Sequence, residues 1–230
     1  MSEAQPRGLI RTLLVLSLCI FLCSTQALHA QGVRRTRRES NANRKARIAR
    51  TVQDTYTHRW EVGGGPGYIR FRSGQFQKRD SQIAFWASSM YTLTPRLGVV
   101  AIATGGFGSA RIGNTVQNAV DPQIQDYAFM AGPSYRLVAR EKYAVSAYAT
   151  GGASYGRFST GPHDYLPQVV GIWPSGYAAA FSAGANFDYN LYPNLALRVS
   201  PNYLGTTFGN TLQSNKAINF GVIYRFGRVR

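Results

Sequence analysis

From about residue 58 to the end of the chain, apolar and polar positions alternate with period two, the spacing of strands whose side chains point to opposite faces. The last segment is the clearest. Ile218, Phe220, Val222, Tyr224 and Phe226 fall on one face, and Asn219, Gly221, Ile223 and Arg225 on the other. Between Tyr177 and Tyr189 a second run sets Tyr177, Ala179, Phe181, Ala183, Ala185, Phe187 and Tyr189 against Ala178, Ala180, Ser182, Gly184, Asn186 and Asp188. Aromatic residues stand near both ends of its first face, with small residues between. Six more segments follow the same rule. The pattern predicts strands over 59–71, 82–93, 97–108, 124–137, 143–156, 177–191, 195–205 and 216–227.

The connections add topology. Tight turns follow the second, fourth and sixth segments, at Thr94–Arg96, Ala139–Lys142 and Tyr192–Asn194. Longer loops rich in Gly, Ser, Asn or Pro follow the others. Eight strands with this alternation predict an all-β fold, an eight-stranded antiparallel up-and-down barrel. A soluble lipocalin-like barrel has the same count but is apolar inside and polar outside. Here the face with aromatic ends is nearly free of charge, which predicts a transmembrane barrel. A weak internal repeat, AIATGG at Ala101–Gly106 and AYATGG at Ala147–Gly152, reads as a repeated hairpin. Neither Thr-Gly-Gly is followed by Gly-Lys-Ser/Thr, so close backbone packing explains the glycines better than phosphate binding.

The first 57 residues differ in texture. Arg7 and Arg11 precede a short apolar run, Thr12–Cys23, and then a small-residue stretch. That is the form of an export signal over 1–30, cut after Ala30 or, as second choice, Ala27; the run is short for a retained membrane helix. Phe21 and Leu22 are too bulky for a lipoprotein anchor at Cys23. Cys19 and Cys23 are the only cysteines, so the exported chain would hold neither disulfides nor cysteine metal sites. Residues 31–57 form a basic segment with Arg34, Arg35, Arg37, Arg38, Arg44, Lys45, Arg47 and Arg50. It is expected as a flexible periplasmic linker, with a helical turn or two around Lys45–Val52. It also carries much of the net charge of +16. Export excludes nucleic acid as the partner and leaves lipid headgroups or an anionic periplasmic polymer.

An eight-stranded barrel is just wide enough to be filled by its own side chains. The inward set includes Arg59, Glu61, Asp126, Arg136, Asp188, Arg198 and Arg225, expected to pair as a lumen charge network because an unpaired buried ion is costly. Catalysis finds little footing. Of His29, His58 and His163, the first falls in the signal, and no serine near His163 and Asp164 has a nucleophile's spacing. That one His-Asp pair offers too few ligands for a metal. No enzyme activity and no cofactor are expected. The loop over 157–176 is apolar for an exposed segment, and Tyr165, Leu166, Val169, Val170, Ile172 and Trp173 make it a candidate surface-contact site. Arg111 and Arg157 near the same rim are candidates for lipopolysaccharide phosphates.

Asn219-Phe-Gly-Val-Ile-Tyr-Arg-Phe226 resembles the closing-strand signal of outer-membrane barrels, followed here by four further residues, Gly227–Arg230. By that resemblance Asn219, Gly221, Tyr224 and Phe226 would be read by the barrel assembly machinery. The region 58–230 looks like the small barrels of the OmpA transmembrane-domain and OmpX-like superfamily. The resemblance implies residence in a Gram-negative outer membrane among lipid and lipopolysaccharide. Three functions are then open: a closed scaffold displaying loops, a small porin-like channel for water, ions or small solutes, and, distantly, a lipid A-modifying enzyme.

Overall fold

The alternating segments become eight antiparallel strands in the computed structural model, which describes residues 40–74, 79–109, 123–159 and 171–228. They are β1 (His58–Arg72), β2 (Arg79–Thr92), β3 (Leu97–Ser109), β4 (Gln123–Ala139), β5 (Tyr143–Phe158), β6 (Gly176–Tyr192), β7 (Leu195–Thr206) and β8 (Gln213–Arg228). Each pairs with the next, and β8 returns to β1, so the barrel is closed and has no edge. Most strands run slightly past the bounds the side-chain pattern predicts. Pairs such as Arg72↔Arg79 and Thr206↔Gln213 show why: the ladder needs backbone groups, and polar residues at a strand end supply them equally well.

The turns after β2, β4 and β6 lie at one end of the barrel with the start of β1 and the end of β8; the longer connections lie at the other. Outward-facing aromatics form two belts. Trp60, Tyr91, Tyr135, Tyr143, Tyr189, Tyr224 and Phe226 ring the short-turn end, and Tyr68, Phe107, Tyr155, Tyr177 and Tyr203 the long-loop end. Between them the outer wall is Ala87, Ala101, Ala131, Ala149, Ala183, Val199 and Val222. This is an apolar band between two amphipathic girdles, the surface a bilayer solvates. No helix among the described residues is long and apolar enough to cross a membrane.

Contacts divide the chain into Met1–Arg44 and Lys45–Arg230. Of the first unit only Ser40–Arg44 is described, and there Asn43 N donates to Ser40 Oγ at 3.3 Å, capping a helix. That helix, α1 (Asn41–Tyr56), is several turns long where one or two are expected. Ala42, Ala46 and Ala49 among arginines and lysine favour it intrinsically. Its last residue, Tyr56, is buried against the barrel, and this docking supplies what propensity alone lacks.

Candidate functional site

Inside the barrel, strand register brings four charges together near the short-turn end. Asp188 on β6 lies opposite Arg198 on β7, and Glu61 on β1 lies opposite Arg225 on β8. The pairs then cross-link. Arg198 Nε and Nη2 donate to the two Asp188 oxygens at 2.6 and 2.8 Å, and Nη2 also reaches Glu61 Oε1. Arg225 donates to Glu61 Oε2 at 3.0 Å, to Asp188 Oδ2 at 3.2 Å and to Asn190 Oδ1 at 2.9 Å. All four side chains are buried. Burial of single ions here would be prohibitive, but two acids and two forked guanidiniums satisfy one another.

Tyr56 closes this end from below. Its hydroxyl donates to Arg140 O at 2.8 Å and accepts from Asn190 Nδ2 at 2.9 Å. The Arg136 guanidinium lies 4.7 Å from the ring centroid and Arg225 5.7 Å from it, so the ring face meets two cations. Arg136 also donates to Pro95 O at 3.0 Å in the β2–β3 turn. Burial pushes the Tyr56 phenol above its usual range, partly offset by the Asn190 hydrogen bond and the nearby arginines.

The other end is sealed differently. Phe71 of β1, Phe158 of β5 and Phe208 of the 3-10 turn Phe208–Asn210 meet with ring centroids 5.3 to 6.3 Å apart. Ile69, Ile124, Ile172, Trp173 and Leu204 complete an apolar plug. Trp173 is fixed at its backbone, donating to Ser73 O at 2.9 Å, and at its indole, donating to Arg72 O at 3.1 Å. Between the two seals lie the buried polar side chains Gln82, Thr104, Asp126 and Ser154. Beside them Trp86 crosses toward β8 and donates to Phe220 O at 2.9 Å.

Of the seven residues expected in the charge network, the structure joins Glu61, Asp188, Arg198 and Arg225 and stacks Arg136 beside them on Tyr56. Two lie elsewhere. Arg59 is exposed, its guanidinium 5.8 Å from the ring centroid of Tyr91 in the short-turn aromatic belt, because at the second residue of β1 a long side chain can swing out over the rim to solvent. Asp126 is inside but at the wrong height. Ten positions of β4 set it apart from Arg136, about 33 Å of extended chain, so it sits toward the apolar plug. Period two gives a residue's side and not its depth; counting from the turns gives the depth.

Ile172 and Trp173 are also corrected. At 4% and 8% exposure they belong to the plug and are no surface contact, since folding into the mouth buries their apolar area. Tyr165, Leu166, Val169 and Val170 lie outside the described residues, as do Arg111 and His163. Arg157 is exposed near the long-loop rim, and His58 Nδ1 is 3.2 Å from Thr55 O at the short-turn end. In β8, Tyr224 and Phe226 face outward with rings 6.0 Å apart, while Asn219 is buried in the lumen. Gly221 lies against Gly64 O and the Trp86 indole, where a Cβ would overlap both. Sequence reasoning missed Tyr56, Asn190 and the three phenylalanines; the parity of β1, β5 and β6 marks all but Tyr56 and Phe208 as inward. No group of three or more His, Cys, Asp or Glu placed for a metal ion occurs among the described residues.

Residues 46–226 match the profile of a family described as "Outer membrane protein beta-barrel domain". Among solved structures the chain is similar to Neisserial surface protein A, at 13% identity over 73% of this chain and 97% of that one, with a TM-score of 0.53. It is similar also to the attachment invasion locus protein Ail of Yersinia pestis, at 21% identity over 73% and 97%, with a TM-score of 0.49. The outer membrane protein OprG of Pseudomonas aeruginosa gives 12% identity over 74% and 97%, again with a TM-score of 0.49. At these identities the likeness is one of fold. No curated protein sequence gives a match.

Proposed function

The chain belongs to the outer membrane protein beta-barrel domain family, and from that premise we propose that it works as a closed scaffold, its lumen a packed core and its loops the working surface. The protein is an integral barrel of the Gram-negative outer membrane, with short turns on the periplasmic side and long loops outside. One observation carries the reading: the lumen is sealed twice, by the Arg198–Asp188–Glu61–Arg225 network with Tyr56 beneath it and by the Phe71–Phe158–Phe208–Trp173 plug. A side-chain bridge across an eight-stranded barrel leaves little width for a solute.

The other assignments follow from this placement. Bilayer lipid and lipopolysaccharide are the surroundings of the outer wall, and the exposed Arg157 is positioned for lipopolysaccharide phosphate. The basic segment 31–57, preceded by an export signal over 1–30, serves anionic headgroups or polymer in the periplasm. Asn219, Gly221, Tyr224 and Phe226 serve as the assembly signal; the outward Tyr224 and Phe226 are available to the machinery, whereas Asn219 and Gly221 also pack the lumen. A scaffold needs no catalytic group, and we assign no enzymatic activity.

Single-channel recording tests the scaffold against the channel. The chain is refolded into a planar bilayer, with its heat-dependent gel shift confirming the barrel. A folded protein that passes no resolved current is the expected result. Steady, reproducible openings would make the channel the correct reading.

A further inference from the structure

The membrane placement above locates a second feature of the periplasmic end. Between α1 and the β2–β3 turn runs a groove of about 490 Å³, lined by Val52, Tyr56, Leu93, Pro95, Arg96 and Ala139. Its walls are mainly apolar, and Leu93 keeps 56% of its surface exposed. The turn continues β2 just past Tyr91, a member of the inner aromatic belt, so the groove opens at the headgroup level of the inner leaflet. An apolar groove at that depth faces lipid.

The charge around it selects the kind. From Lys45 through α1, and across the three short turns, the basic residues are Lys45, Arg47, Arg50, Arg96, Arg140 and Lys142, against Asp54 and Glu141. Glu141 is already paired with Arg47 at 3.5 Å. Arg96 lines the groove, and Arg50 precedes the groove residue Gln53 by three positions, which sets both on one side of α1. An inner-leaflet lipid with a net negative headgroup satisfies both walls at once; a cell-wall polymer, polar throughout, has no use for the apolar one.

We propose that this groove is a binding site for an anionic phospholipid of the inner leaflet, one acyl chain lying against Val52, Tyr56, Leu93 and Pro95 and the phosphate held by Arg96 and Arg50. The bound lipid pins α1 to the barrel rim and fixes where the basic segment leaves the membrane. The proposal sharpens the headgroup reading of the basic segment and rests on the outer-membrane placement.

The test is native mass spectrometry of the full chain released from bilayers of phosphatidylethanolamine with and without phosphatidylglycerol. Wild-type protein is expected to retain phosphatidylglycerol over the neutral lipid. Arg96→Gln and Arg50→Gln are each expected to lower that retention about fivefold, since one arginine near an anionic surface contributes about 1 kcal/mol. Val52→Trp, which fills the groove and leaves every charge in place, is expected to abolish it. Arg59→Gln, at the same end but outside the groove, is the control and is expected to change nothing. Equal retention of both lipids by wild type would overturn the proposal, as would an unchanged Val52→Trp. Arg50-dependent capture by isolated cell-wall sacculi, with lipid retention indifferent to all four substitutions, would assign the basic surface to polymer instead. The gel shift of each variant separates lost lipid from a lost barrel, and failure of wild type to fold in any bilayer would strike the membrane placement itself.

Discussion

Arg198 touches both acids of its network, and it makes the sharpest case for reading the lumen charges as one unit. Remove it alone and Asp188 loses its bidentate partner while Glu61 keeps only Arg225. Breaking a buried ion cluster by deleting one member costs about 3–5 kcal/mol, because the charge left behind has already been desolvated. Removing every member costs far less, since no ion then remains to be solvated. Arg198→Met is therefore expected to destabilise the barrel by about 3–5 kcal/mol in equilibrium urea unfolding from lipid vesicles. The fourfold variant Glu61→Gln, Asp188→Asn, Arg198→Met, Arg225→Met is expected to be more stable than Arg198→Met alone. If the fourfold variant proves the less stable, the four charges contribute independently and the unit account fails.

At the scale of elements, α1 and the β8–β1 seam each hang on one residue. Tyr56 ends α1 with a hydroxyl bonded to Arg140 O and Asn190 Nδ2, so Tyr56→Phe is expected to cost about 1–3 kcal/mol, the desolvation of partners left unpaired. The phenol also sets a pH limit. Its pKa is raised in the folded protein, mainly by burial, so the fold favours the neutral form. That contribution is complete below the phenol's ordinary value near 10 and is lost as pH rises through the higher folded value. A tyrosinate absorbance titration of wild type minus Tyr56→Phe is expected to show a midpoint above 10; a midpoint at or below it would mean that Tyr56 is not buried. At the seam, a Cβ on Gly221 would meet Gly64 O and come within 2.8 Å of Trp86 Cζ2. Gly221→Val is expected to cost about 3 kcal/mol in the same urea titration, as overpacking against backbone does. A neutral result would reserve Gly221 for assembly alone.

These elements also mark what the sequence made legible. Alternation over 177–191 and 216–227 is a property of side chains on a sheet with unlike faces, so strand number, facing and closure are readable from it. Loop lengths gave the two ends. The docking of Tyr56 was not readable, because a single aromatic after a polar helix carries no periodicity. Nor was the folding-in of Ile172 and Trp173: an apolar loop signals burial but does not say whether its own barrel or a partner provides the cover. The depth of Asp126 was within reach of the sequence, since it lies close after a long loop while Arg136 lies close before a short turn.

For the molecule as a whole, the two seals stand in series along one tube with the polar band of Gln82, Thr104, Asp126 and Ser154 between them. Resistances in series add, so current is governed by whichever seal remains. Neutralising and shortening the ionic seal with Glu61→Ala, Asp188→Ala, Arg198→Ala and Arg225→Ala leaves Phe71, Phe158 and Phe208 in the outer mouth. Truncating those three to alanine leaves the ionic bridge and Tyr56 across the inner one. Neither set alone is expected to conduct. Combined, they remove the ionic bridge at one end and the three phenylalanines at the other, on either side of a band of polar side chains that water can solvate, and resolved openings are expected in a planar bilayer. Plug-only variants are the more fragile, because three buried phenylalanines are lost at about 3–5 kcal/mol each, so each recording is paired with the gel shift to confirm a closed wall. Conduction by the ionic-seal variant alone would show that the aromatic plug admits water and would move the barrier to the charged end. Silence from the combined variant with an intact barrel would assign the barrier to the large side chains that remain, Tyr56 at the inner end, Trp173 at the outer and Trp86, which lies over β1 to reach β8.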